Sequence, residues 1–422
     1  MLLPNIYGQG ALFACSGMKC PTDYNNTLVG SLLGDKLGIL LYLKKRRELF
    51  FELQPPIRDI NYQAVTGDVI VAELSDGNKE YRRFFRMTFL DAYTIIGETC
   101  RAAYPVMWAD RGVVVNEKDS VQTFSDEKEH TVLLILEEGI DTVRFSMGYS
   151  GHSVEEAILR AQNGMQACVK TVVDQNLDFY NHISRPTNDK LFARTYAKAF
   201  SVLRTNVMSA EGKIKGYWTT PNRVPHKNMW LWDSVFHALG WQYYDVSLAY
   251  RAIEAMLEIQ YEDGLIPIMA TPYEALMLTQ PPLLAWGIWK LYERCGDQKL
   301  INNSYEKLKK YITWNLTHRD SNKNFLFEWL ISATGSGESG ADNSARFDLR
   351  KTMDCVDFSS FMAKEVQTLS KMAKLLGEKD DEKYYQELFN CIQKAVNELL
   401  WDEETKTFRD RFLDGVVNKN VI

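Results

Sequence analysis

A chain of 422 residues with 45% hydrophobic and 12% aromatic residues can bury large cores and, on the usual size range, forms two or three domains. A net charge of −6, with Lys44-Lys45-Arg46-Arg47 as an isolated basic run, excludes a protein that tracks a phosphate backbone, so no nucleic-acid partner is expected. Seven cysteines without a C-x-x-C pair fit a reduced compartment rather than a disulfide framework, and no apolar run reaches the roughly 18 residues of a membrane span. The N-terminus MLLPNIYGQGALF lacks a leader pattern, and a soluble, cytoplasmic chain with no membrane partner is expected.

To about Tyr149 the chain reads as short β-type runs. Asp68–Leu74, a Ser-Asp-Gly-Asn turn and Tyr81–Phe89 form one strand–turn–strand signal, and Thr131–Leu136 and Thr142–Ser146 continue it. A β-sandwich over 1–150 is predicted. At Ser153 the period changes. Ser153 and Glu156 make a capping box, and Val154, Ile158, Ala161, Met165, Cys168 and Val172 lie on one stripe, which predicts a single helix within a helical linker over 151–187. Beyond Ser184-Arg185-Pro186-Thr187-Asn188 helices are predicted near 189–209, 230–243, 246–260, 281–295, 298–318, 357–376 and 382–400. Alternating short and long connections suggest an α/α toroid over 188–422, with the loops 210–229, 261–280 and 319–356 at its mouth. The last of these far exceeds the usual connection of about 4–6 residues, which marks it as functional.

Three motifs carry candidate chemistry. In Met229-Trp230-Leu231-Trp232-Asp233-Ser234-Val235-Phe236-His237-Ala238, Asp233 opens a helix beside tryptophans suited to a sugar face; the plain alternative is an acid complementing the helix dipole. In Leu278-Thr279-Gln280-Pro281-Pro282, prolines start a helix and leave Gln280 in the preceding loop, with donor and acceptor for a hydroxyl. In GESGADNSARFD, glycines allow close approach to a ligand, and Glu338 and Asp342 place two carboxyls four residues apart; a solvated acidic turn is the plain alternative. No metal-ligand spacing is apparent.

In this order, behind a β-domain, W-x-W-D-S-x-x-H-A, T-Q-P-P and G-x-E-S-G-x-D-N-S resemble glycoside hydrolase family 63, which includes processing α-glucosidases and mannosylglycerate hydrolase-like enzymes. The resemblance covers about 185–415; trehalases share the Q-P-P and E-S-G-x-D elements. It implies an N-terminal β-sandwich followed by an incomplete (α/α)6 toroid, and cleavage of an α-glucoside or α-mannoside with inversion, without metal or cofactor. Asp342 would be the general acid, its pKa raised by a partly buried loop against Trp329 with Glu338 nearby. Trp230 and Trp329 would wall the glycone, Asp233 and Gln280 would bond its hydroxyls, and Glu338 and Gly340 would line the same subsite. Arg346 would orient Asp342 or Glu338.

An inverting enzyme needs a second carboxylate about 6.5–9.5 Å from the acid. In the family it is a late glutamate, expected beyond residue 422, so the sequence reads as the N-terminal portion of a longer enzyme. Two alternatives remain: a trehalase-like hydrolase, and a non-catalytic carbohydrate-binding protein on the same scaffold, for which an intact Asp342 motif would be unnecessary.

Overall fold

The computed structural model describes residues 2–77, 81–118, 120–184, 186–332, 337–341 and 343–420. They fall into two units, one of 1–209 with 222–227 and one of 210–221 with 228–422.

The first unit holds two antiparallel sheets. Strands β1 (Leu12–Ala14), β2 (Val29–Leu32), β3 (Gly38–Leu41), β4 (Arg47–Leu53), β5 (Asp59–Val65), β6 (Val69–Ser75), β7 (Arg82–Asp91), β8 (Thr94–Cys100), β9 (Ala103–Ala109), β10 (Val114–Lys118), β11 (Val121–Ser125), β12 (His130–Glu138) and β13 (Thr142–Ser150) arrange as β1-β2-β3-β4-β9 and β10-β11-β12-β13-β8-β7-β6-β5. Inward residues of both sheets share one core. Phe51 of β4 meets Phe85 of β7 edge-on at 4.7 Å and Phe145 of β13 at 5.2 Å. The predicted β6–β7 pairing is present, with Ser75 opposite Arg82.

The stripe expected to run through one helix is split into α1 (Val154–Gln166) and α2 (Val169–Asp178). Arg144 of β13 donates through Nη2 to the carbonyls of Met165 (2.7 Å) and Ala167 (2.9 Å), and Ala167 is extended. Those carbonyls are thereby withdrawn from the helical ladder. The capping box is half-formed: Ser153 Oγ accepts from Glu156 N–H, while the Glu156 carboxylate turns to Ser150 and Arg160. With α3 (Lys190–Thr205), these helices belong to the first unit, whereas the sequence suggested boundaries at 150 and 187. Apolar burial explains the difference. Ala157 and Ala161 pack with Val132, and Val169, Val172 and Val173 with Val69 and Ile96.

In the second unit α4 (Leu231–Trp241), α5 (Val246–Glu258), α6 (Leu284–Cys295), α7 (Lys299–His318), α8 (Val356–Leu376) and α9 (Lys379–Leu399) pack as three successive hairpins. Helices α4, α6 and α8 adjoin in one layer and α5 and α7 in another. Val235, Ile253, Ile288, Leu308, Met362 and Leu369 are buried between them. No helix among the described residues is long and apolar enough to cross a membrane.

Candidate functional site

The three motifs meet through Thr279 and Gln280. Gln280 is buried, and its Oε1 accepts from the Trp232 N–H in the first turn of α4 (3.2 Å), a helix start without a side-chain cap of its own. Next to it, Thr279 N–H donates to Glu338 Oε1 (2.8 Å), and its hydroxyl lies 2.5 Å from the buried Tyr311 hydroxyl. The second motif thus bonds both to the first and to the third.

Glu338 is wholly buried, and protein donors occupy both of its oxygens. Oε1 takes Thr279 N–H and Arg319 Nη2 (2.6 Å); Oε2 takes Arg319 Nε (2.8 Å) and Leu330 N–H (3.0 Å). Arg319 lies over the Trp314 ring at 4.6 Å and donates Nη1 to the His318 carbonyl. This bidentate pair fixes the start of the GESGADNS segment at the C-terminal end of α7. Read from sequence as a substrate contact, Glu338 instead spends its acceptors on the protein, and Arg319 balances the charge expected to raise the pKa of Asp342. Asp342 itself lies outside the described residues.

Gly340 is exposed with φ +72°, and a Cβ there would lie 2.7–2.8 Å from Trp232 ring carbons. The tryptophan against the loop is therefore Trp232. Trp230 lies in a two-residue ladder opposite Met269, and Asp233 in the first turn of α4. Trp329, expected to wall an open subsite, is buried, stacked on Phe358 at 3.8 Å and bonded through Nε1 to Asp357 (3.0 Å). His237 carries a buried Nδ1 with no partner among the described residues, and burial lowers its pKa to about 4.

Arg346 does not serve Glu338. It forms a bidentate pair with Asp357 (2.7 and 3.0 Å) and an ion pair with Asp410 (2.9 Å), whose carboxyl burial pushes up. Cys355, Asp357 and Asp410 are close enough to hold a metal together, but Arg346 already engages both carboxylates. A second acidic set went unread in the sequence. Asp320, Asn322, Asn324 and Glu328 stand at first, third, fifth and ninth positions of a loop that bonds within itself and to Asp354: Asn322 and Asn324 donate Nδ2 to Asp354, and Asp320 accepts from the Asn324 N–H. Burial raises the pKa of Glu328 and of Asp354, and no Lys or Arg among the described residues pairs with these acids.

Sequence reading also missed Glu365 of α8. Wholly buried, it accepts from Ala285 and Trp286 N–H (both 2.9 Å), capping α6 just after the Q-P-P motif. Burial raises its pKa to about 7.

A bacterial glucoamylase crystallised with acarbose shares the fold, with a TM-score of 0.53, 12% identity, and coverage of 95% of this chain and 70% of that one. Residues 226–420, almost wholly within the helical unit, match the model of the mannosylglycerate hydrolase MGH1-like glycoside hydrolase domain. Among curated relatives, the mannosylglycerate hydrolase of Thermus thermophilus is 27% identical over 176 residues, 36% of this chain and 40% of that protein. An α-L-rhamnosidase of Alteromonas is 26% identical over 171 residues, 38% of this chain and 17% of the relative. The chain spans well under half the length of the curated relatives it matches.

Proposed function

We propose that this chain is an inverting glycoside hydrolase acting on an α-glucoside or α-mannoside of a small aglycone, on an (α/α)6-type scaffold. The observation that carries this reading is the joining of all three motifs through Thr279 and Gln280. A surface turn needs no such anchoring, whereas a catalytic loop requires a fixed position to within about 0.5 Å. Asp342, four residues past the clamped Glu338, is the general acid and protonates the glycosidic oxygen as the bond breaks. Asp233 and Trp232 contact the glycone, and Gln280 acts by holding the α4 turn that carries them. Neither Glu338, held by Arg319, nor Glu328, held by the Ser321 N–H and hydroxyl, is free to be the base. Relatives named mannosylglycerate hydrolase and glucosylglycerate hydrolase support a small, acidic aglycone.

The test uses mannosylglycerate, glucosylglycerate and an aryl α-glucoside, following the anomer released by NMR. Hydrolysis giving the β-anomer first, and abolished in Asp342→Asn, supports the assignment. Saturable sugar binding without turnover would instead make the protein a carbohydrate binder on this scaffold.

A further inference from the structure

Away from that site, in the β-unit, Cys15 and Cys20 stand with their sulfurs 2.9 Å apart. Cys15 directly follows β1, and the turn at Ser16–Lys19 returns the chain. Lys19 N–H bonds to the Ser16 carbonyl (3.0 Å) and Met18 N–H to Ser16 Oγ (3.2 Å). The turn is seated on backbone: Gly17 N–H donates to Val207 O (2.8 Å), and a Cβ on Gly17 would lie 2.3 Å from Ser209 N. The two thiols are therefore positioned together by the fold.

The two sulfurs differ in access and surroundings. Cys15 is wholly buried and Cys20 partly exposed. Arg223 lies buried beside them, donating Nη1 to the Cys15 and Thr205 carbonyls, and its Nη2 has no partner among the described residues. Among the described residues it has no carboxylate pair, and the two cysteines are the ionisable groups that act on its charge. Lys19, also largely buried, donates Nζ to the Phe89 carbonyl and bears on both thiols. Cations beside a thiol pair favour a thiolate, here against the opposing charges of Asp68 on Cys15 and Asp91 on Cys20. The hydrogen bond from Cys15 lowers the Cys20 thiol and raises its own.

We propose that Cys15 and Cys20 are a reversible thiol–disulfide site, with Cys20 as the entry thiol and Cys15 as the resolving thiol, exchanging with small-molecule disulfides of the glutathione type. The Cys20 thiolate attacks one sulfur of the oxidant, whose S–S bond breaks and expels one thiolate. Cys15 then loses its proton to solvent and attacks Cys20 Sγ, expelling the second thiolate. Two protein thiols are oxidised and one small disulfide is reduced to two thiols. Cys100, Cys168, Cys295, Cys355 and Cys391 serve as internal controls.

The full chain, equilibrated in graded mixtures of reduced and oxidised glutathione, is quenched in acid, alkylated and digested with trypsin, which cuts after Lys19. The expected product is a linked pair of peptides joining Cys15 to Cys20, two mass units below the sum of the free thiol forms and reversed by excess reduced glutathione. Cys15→Ser should trap glutathione on Cys20, and Cys20→Ser should leave Cys15 unmodified. Stable glutathione on wild-type Cys20 with Cys15 free, or no reaction at either, would overturn the assignment. The wild-type measurement decides alone if a variant fails to fold.

Discussion

Arg319 and Glu338 form a bidentate ion pair, 2.6 and 2.8 Å long, that ties the end of α7 to the segment preceding Asp342. Glu338 is wholly buried, so either residue alone would be a charge without a partner. Glu338→Gln or Arg319→Lys should each cost about 3–5 kcal/mol, lysine included because it cannot supply the planar fork. Denaturant unfolding of these variants, of Arg319→Met and of the double replacement Arg319→Met/Glu338→Gln checks this. The double variant should recover part of the loss, and strictly additive losses would show that the pair is not coupled.

Gly340 should tolerate no side chain. Its φ of +72° costs an L-residue about 1–2 kcal/mol, and a Cβ would overlap Trp232. Gly340→Ala is expected to lower stability by that amount and to weaken turnover by displacing the loop. Trp232→Ala in the same chain should relieve the overlap but leave the strain. Equal melting temperatures for Gly340→Ala and the parent would contradict both arguments.

The periods that make secondary structure were legible in the sequence. The β6–β7 hairpin and the positions of six helices in the second unit, α8 among them, follow from spacing alone. The three motifs could likewise be picked out by residue type. What spacing could not convey was contact between distant residues. Arg319 is separated from Glu338 by 19 positions and Glu365 from Ala285 by 80, so neither pair leaves a local pattern. The helix break at Ala167 depends on Arg144 from another strand.

Arg346 sits between Asp357 and Asp410, so its removal leaves two carboxylates facing each other. Arg346→Gln should destabilise the helical unit by about 3 kcal/mol or more near pH 8. The loss should shrink as pH falls and Asp410, whose carboxyl burial pushes up, takes up its proton. Thermal unfolding of the variant against the parent from pH 4 to 8 reads this directly, and a pH-independent deficit would point to lost packing instead.

Glu365 gives a pH dependence of its own. Its folded pKa, raised to about 7 by burial, lies above the 4.5 of an ordinary glutamate. The fold therefore prefers the protonated acid. Its contribution is fully present below about pH 4.5 and is lost as pH rises through 7, on the order of 3 kcal/mol in all. The bonds to Ala285 and Trp286 N–H oppose this by favouring the carboxylate, but the depth of burial outweighs them. Glu365→Gln cannot ionise, so the stability difference between parent and variant should narrow or reverse between pH 5 and 8. Parallel stability curves for the two proteins across that range would mean that Glu365 ionises in the fold at no cost, and that the two backbone N–H groups at the start of α6 suffice to hold its charge.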